Sequence, residues 1–280
     1  MSTFRTSDGV ELAYRDTGPA GSAPPLVMLH GWGQTQAMFR HQVEGLAPRR
    51  RVVTLDQRGH GTSEKPHHGY RIARLARDAH ELLDHLGIAR ADVLGWSMGV
   101  SVWWSFVDQY GTGRIRRFVA VDQPAAVAAV PWMSPQAQAD SGAIFDVSAL
   151  LSLGEALHGP EGAKATEEFV RGMFGGEVDP ELWAFVEEQI ALTPPHAGVP
   201  LLWDHCAQDW RDVLPRLDRP TLVIGCEGSH VDPASQRYIA ERVPGAALHV
   251  FPREVASSHF PFLQNPPAFN EVVETFLDRP

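Results

Sequence analysis

Asp92-Val93-Leu94-Gly95-Trp96-Ser97-Met98-Gly99 joins a short apolar run to a segment, Ser97 to about Tyr110, with the pattern of a helix. An apolar run of strand length that ends on glycine and passes at once into a helix describes a strand–turn–helix unit. A serine at such a corner is forced into strained dihedrals, so small residues are needed two positions before and two after it, where neighbouring backbone comes close. Gly95 and Gly99 meet that need. The turn carries the serine oxygen to the carboxyl edge of a sheet. There a helix N-terminus offers free N–H groups and partial positive charge to an anion forming beside it. A G-x-S-x-G pentapeptide alone recurs by chance; the flanking strand and helix give this one its meaning.

Towards the N-terminus, Val10 to Arg15, Pro25 to Leu29 and Arg51 to Asp56 read as strands. From Arg71 to Gly87 the apolar positions Ile72, Leu75, Ala76, Ala79, Leu82, Leu83 and Leu86 recur at helical spacing, with Gly87 as a C-cap. Phe118 to Val121 adds a strand after the elbow helix. A βαβαβ series implies an α/β fold, a mostly parallel sheet with helices on both faces. After Pro124 the rhythm breaks. From about Pro131 to Trp210 there are helical stretches, Ala165 to Phe174 and Pro180 to Leu192, punctuated by Pro194, Pro195 and Pro200, and no convincing strand. Sheet rhythm returns with Thr221 to Gly225, a helix from Pro233 to Arg242, a strand from Ala247 to Phe251 and a closing helix from Pro267 to Leu277. The expected organisation is a core built from residues 1–130 and 213–280, with residues 131–212 inserted as a helical cap. Trp132, Phe145, Phe169, Phe174, Trp183, Phe185, Trp203 and Trp210 give that insertion an aromatic load suited to roofing an apolar pocket. Packing between helices accounts for most of them individually.

Composition narrows the partner. The 280 residues carry 24 Lys+Arg against 34 Asp+Glu, a net charge of −10, with 44% hydrophobic and 21% charged residues. That excludes disordered and fibrous classes. No basic cluster is present, so neither nucleic acid nor an anionic membrane is the expected partner; a small apolar or aromatic substrate is. Two cysteines, Cys206 and Cys226, provide neither a disulfide framework nor a zinc site, and no metal is expected. Met1 to Gly9 is polar without the apolar core of a signal peptide, and no stretch has the apolar length to cross a bilayer, from which a cytoplasmic location is expected.

A second motif, His30-Gly31-Trp32-Gly33, follows the strand Pro25 to Leu29. Small residues beside Trp32 let its main-chain N–H turn toward the serine, so Trp32 and Met98 N–H groups form the expected oxyanion hole. His30, at a strand end beside a turn, suits a residue that orients the loop through hydrogen bonds.

With Asp56-Gln57-Arg58-Gly59-His60-Gly61 before Ser63, and Ser258-His259-Phe260 near the end, these motifs make the chain resemble the α/β-hydrolase fold superfamily over nearly its whole length. The likeness is greatest to its small cofactor-free esterases, lactonases and haloperoxidase-like enzymes. The resemblance implies a Ser nucleophile, a His base after the last strand and a carboxylate that orients it. Among 13 histidines, His259 has that place: it follows the strand Ala247 to Phe251 by a short loop and precedes the closing helix. His249 lies inside the strand pattern, and His67 and His68 in a polar loop. Family members commonly place the acid after the strand equivalent to Thr221 to Gly225, in a Gly-x-x-Asp pattern. Here that register reads Gly225-Cys226-Glu227-Gly228. Some relatives draw it from the end of the preceding strand, where this chain has Val121-Asp122-Gln123-Pro124. Asp122 is therefore the expected acid, with Glu227 and Asp232 as rivals and a turn cap before Pro124 as its alternative role.

What the resemblance implies is a serine hydrolase that cleaves a carboxylic ester, lactone or thioester with an apolar part through an acyl-enzyme on Ser97, needing no cofactor. Trp96, Trp132 and Trp183 are the expected substrate contacts, and the stretch Asp56 to Ser63 shapes a loop near the site. The chain is also similar to cofactor-free heteroaromatic ring-cleaving dioxygenases of the same fold. These share the His-Gly-Trp position, an acid after the same strand as Asp122 and the Ser-His-Phe-Pro sequence at Ser258 to Pro261. In them a His-Asp pair deprotonates an aromatic hydroxyl. The elbow here, Trp96-Ser97-Met98, has the hydrolase-like form, whereas those dioxygenases tend to have His beside the Ser. A ligand-binding receptor that keeps the fold with a slow triad is a third class.

Overall fold

Residues 1–279 are described by the structure, a computed structural model. The strands are β1 (Ser2–Arg5), β2 (Glu11–Asp16), β3 (Ala23–Leu29), β4 (Arg50–Leu55), β5 (Ala91–Trp96), β6 (Ile115–Val121), β7 (Ala128–Ala129), β8 (Phe145–Asp146), β9 (Thr221–Cys226) and β10 (Ala247–Phe251). The helices are α1 (Arg40–Leu46), α2 (Ile72–His85), α3 (Met98–Tyr110), α4 (Pro135–Ser141), α5 (Val147–His158), α6 (Gly162–Gly172), α7 (Pro180–Ile190), α8 (Pro195–Cys206), α9 (Pro233–Arg242), α10 (Pro261–Gln264) and α11 (Pro266–Leu277).

Eight strands form one sheet in the order β1-β2-β4-β3-β5-β6-β9-β10. Only β1–β2 and β2–β4 pair antiparallel; from β4 onward every pairing is parallel. This is the α/β-hydrolase fold. Alternation along β3 shows why both faces must be covered: Val27 and Leu29 enter one core and Leu26 and Met28 the other. Helices α2, α3 and α9 supply the first core, α1 and α11 the second. The ending of α2 follows from Gly87, which takes φ +63. Ile88 N donates to Leu83 O and Gly87 N to Asp84 O, the paired bonds of a Schellman cap, so the chain leaves the helix and enters β5.

Several elements lie outside the sequence reading. β1 is an edge strand in which only Phe4 is buried, too short for alternation to register. Where the prolines between 194 and 200 suggested interruption, there is a helix, α8, with Pro195 in its first turn and Pro200 inside it. A first-turn proline forfeits no helical bond. An internal one costs a helix about 3 kcal/mol, offset here by burial of Ala197, Leu201, Leu202 and Cys206 on the inward face. The stretch read as lacking strands holds β8, which pairs parallel with β7. Helices α4 to α8 all fall between β6 and β9, and α8 packs against α5 and α2. Among the described residues no helix is long and apolar enough to cross a membrane.

The elbow helix packs backbone to backbone on β3. A Cβ at Gly99 would lie 2.1 Å from Leu29 O, and one at Gly95 would lie 2.5 Å from Gly99 C and Val100 N. Neither neighbour is a side chain that could rotate away. Gly99→Ala is expected to destabilise the fold at or above the top of the ~1–3 kcal/mol range for overpacking. Gly154→Ala on α5, whose Cβ meets nothing within 4 Å, should instead be neutral or stabilise by up to about 1 kcal/mol. Urea unfolding midpoints measure both, and equal midpoints for the two variants would contradict the close approach.

Candidate active site

Ser97 and Asp122 are the only non-glycine residues with positive φ among those described, at +54 and +51. Each follows directly on a strand, β5 and β6, whose last residues Trp96 and Val121 are register partners. Each corner is also tied to the next strand: Ser97 N donates to Val121 O at 2.9 Å and Asp122 N to Ile224 O at 2.8 Å. The ladder thus runs one residue past the strand ends and fixes both side chains at one edge of the sheet.

His259 reaches that edge from the loop after β10. Its Nδ1 lies 2.7 Å from Asp122 Oδ2. The carboxylate accepts, so Nδ1 carries the proton, and Nε2, across the ring, keeps its lone pair. The loop is held at both main-chain groups of His259: its N–H donates to Met173 O and its carbonyl accepts from Trp96 Nε1 at 2.8 Å. Asp122 Oδ2 has a second donor, Ser229 Oγ at 2.5 Å. Because Val231 N–H already donates to Ser229 Oγ, the single hydroxyl proton of Ser229 is directed to the carboxylate. Burial pushes the Asp122 carboxyl up to about 7, opposed by the Ser229 bond. Burial pushes His259 down to about 3. Removed from water, each group relies on the other to carry charge.

The rival acids lie elsewhere. Asp232 caps the N-terminus of α9 through Ala234 N, and Glu227 Oε2 accepts from Arg253 N. His249 is a half-buried strand residue packed edge-on against Phe251. Trp32 and Met98 both flank Ser97's surroundings, and among the described residues neither main-chain N–H donates to a protein acceptor.

The neighbouring loops are set by two satisfied histidines. His30 Nε2 accepts from Gln57 N at 3.0 Å, and its Nδ1 pairs with Gly31 O. His60 Nε2 accepts from Gly33 N at 3.1 Å, and its Nδ1 pairs with Arg58 O. His30 thus orients its loop, and the stretch Asp56 to Ser63 braces it. Asp56 accepts from the main-chain N–H groups of Gln36 and Thr62.

A narrow cavity, with about 40 Å³ open to the centre of a water-sized sphere, lies over Ser97 and His259. Trp32 and Trp96 line it, as do Phe145, Phe169, Met173 and Leu202. Of the three tryptophans expected to contact substrate, Trp96 alone lines the cavity; fully buried, it also holds the His259 loop. Trp132 is 83% exposed on the turn before α4. Trp183 faces the second core, against Phe174 and under the Arg171 guanidinium. Both expectations are corrected here, because which way a cap aromatic points depends on how its helix packs. Three polar lining residues escaped the sequence reading: Gln34, His205 on α8 and His230 in the loop after β9. His230 is two residues beyond Gly228, in a stretch whose expected contribution is a carboxylate. His205 had no signal beyond its place on a helix.

Burial pushes His60, His205, His230 and His259 all down to about 3 from an ordinary 6.5. Their unfolded rings take up protons below pH 6.5 while the folded ones do not, so this contribution to stability is intact above 6.5 and shrinks toward pH 3. Asp122, raised to about 7, works in the opposite sense, as do Asp78 and Asp92, raised by burial. His30 and His249, also lowered by burial, and the lowered carboxyls of Asp8, Asp16, Glu81 and Asp209 add to the loss of stability in acid. Thermal unfolding midpoints should be level near neutrality and fall steadily from pH 6.5 to pH 4; a flat profile across that window would contradict the burial.

The sequence pattern of the alpha/beta hydrolase fold family matches residues 24–152. The chain is 26% identical to a 3-oxoadipate enol-lactonase of Acinetobacter baylyi, over 98% of this chain and 96% of that one. It is 29% identical to a non-heme chloroperoxidase of Kitasatospora aureofaciens, over 90% of both. The solved enol-lactonase of Burkholderia xenovorans superposes with a TM-score of 0.84 at 25% identity, over 99% of this chain and 100% of that one. A serine elbow after the fifth strand, a histidine after the last, the sheet order and these likenesses agree: the chain has the α/β-hydrolase fold and is similar to esterases and lactonases built on it.

Proposed function

We propose that the protein is a serine hydrolase that cleaves a carboxylic ester, lactone or thioester by way of an acyl-enzyme, with α4 to α8 serving as the cap over its substrate. The observation that carries this reading is the 2.7 Å contact between His259 Nδ1 and Asp122 Oδ2, with Ser97 in the same cavity. A hydroxyl is a weak nucleophile until a base takes its proton, and His259 Nε2 is the nitrogen left with a lone pair. Ser97 Oγ attacks the carbonyl carbon as its proton passes to Nε2. The imidazolium that results is stabilised by the buried Asp122. The negative charge on the carbonyl oxygen falls to the free N–H groups of Trp32 and Met98, the latter in the first turn of α3. His259 then gives its proton to the departing alcohol or thiol, or to the ring-opened oxygen of a lactone. Water, deprotonated by the same nitrogen, releases the acid. The enol-lactonase relatives support a substrate of this class.

Ser97→Ala should abolish hydrolysis of 4-nitrophenyl esters and labelling by a fluorophosphonate, both present in the parent. Asp122→Asn keeps the size and removes the charge, and should lower kcat by about three to four orders of magnitude. Glu227→Gln and Asp232→Asn should each stay within about tenfold of the parent. Equal labelling of the parent and Ser97→Ala would remove Ser97 as nucleophile. Oxygen uptake on a 3-hydroxy-4-quinolone, retained in Ser97→Ala, would replace this reading by that of a His-Asp dioxygenase.

A further inference from the structure

Four of the thirteen histidines fall into two contrasting pairs. His30 and His60 are fully buried, and both ring nitrogens of each are met by main-chain groups. His205 and His230 line the cavity over Ser97, and among the described residues neither ring nitrogen of either has a hydrogen-bonding partner. His205 is 4% exposed, and Nδ1 in both is sealed from solvent. A third side chain in the same lining, Gln34, is 1% exposed and leaves Oε1 equally unmet. Buried polar atoms are nearly always paired, and leaving one unpaired is costly, so three such side chains facing a single cavity need an account. Unpaired buried atoms occur elsewhere, at His249 and Gln42 for example, but the cavity over Ser97 gathers three in one lining.

Building on the ester-hydrolase reading, we propose that His205, His230 and Gln34 form a recognition site for a neutral hydrogen-bonding group of the substrate, a hydroxyl or carbonyl separate from the scissile bond. The substrate is then a hydroxy- or oxo-substituted ester or lactone rather than a purely apolar one. A neutral imidazole offers one donor and one acceptor, and an amide oxygen accepts, so a hydroxyl can both give and take here while a carbonyl takes from an imidazole N–H. Neutrality of the group follows from the lining, which contains no Lys or Arg to balance a carboxylate. Burial also keeps both imidazoles uncharged near neutral pH, each pushed down to about 3. The His230 ring centroid is 4.5 Å from that of His259, which sets the recognised group within a few bonds of the reacting carbonyl.

The test compares kcat/KM for matched esters: 4-nitrophenyl butanoate against its 3-hydroxy, 3-oxo and 3-carboxy analogues, and ethyl butanoate against 2-hydroxyethyl butanoate for the alcohol side. The parent should prefer at least one hydroxy or oxo ester over its unsubstituted partner by about ten- to hundredfold, and should not prefer the carboxylate. His205→Leu and His230→Leu should bring that ratio close to one, and His205→Gln, which keeps a donor and an acceptor, should restore part of it. Fluorophosphonate labelling of each variant confirms that the ratio is read from folded protein. Hydrolysis by the parent with no preference on either side, a preference for the carboxylate ester, or a ratio unmoved in both Leu variants would each overturn the inference while leaving the hydrolase reading in place. A parent that neither hydrolyses any of these esters nor takes the label would overturn the hydrolase reading instead.

Discussion

Three adjoining parallel strands, β5, β6 and β9, end in a stepped ladder, and each step holds a residue that would not keep its conformation alone. A non-glycine residue at positive φ costs on the order of 1–3 kcal/mol and persists only where its surroundings determine it. At Ser97 the determining contact is the hydrogen bond to Val121 O; at Asp122 it is the bond to Ile224 O. Because the second bond stiffens the strand that provides the first, the two corners are not independent. A shift of register between β6 and β9 would displace Asp122 from His259 and disturb Ser97 as well.

The dyad inherits its properties from that depth. Asp122 is completely buried and His259 nearly so, so neither is solvated as an isolated ion, and their mutual contact does what water would otherwise do. Ser229 completes the arrangement with a hydroxyl whose direction is already decided by Val231 N–H. It sits beside Gly228, where the more common pattern of the superfamily has its acid. Here that loop contributes a donor to the Asp122 carboxylate.

What could be read from the sequence was what leaves a local trace. Apolar runs bounded by glycine or charge marked the parallel strands, the seven apolar positions from Ile72 to Leu86 marked α2, and Gly95 and Gly99 marked the elbow because backbone contact excludes every other residue. That Asp122 would stand beside His259 could be expected because a carboxylate ends one strand while glycine occupies the alternative position. Properties set by tertiary packing left no such trace. Trp132 and Trp183 have the same composition signal as Phe145 and Phe169, yet only the two phenylalanines reach the cavity. Pro200 reads as a helix breaker until the buried face of α8 is known. A histidine on a helix carries no mark of whether its nitrogens will find partners, which is why His205 was passed over.

The Trp32 indole donates to Gly198 O at 2.7 Å, a bond from the loop beside Ser97 to the first turns of α8. Its partner is a main-chain carbonyl, so no side-chain rotation on α8 can release it. A rigid displacement of α8 must therefore either break this bond or carry the Trp32 side chain with it. Helix and sheet edge are in this way tied to one another through a single indole, so that neither is placed independently of the other.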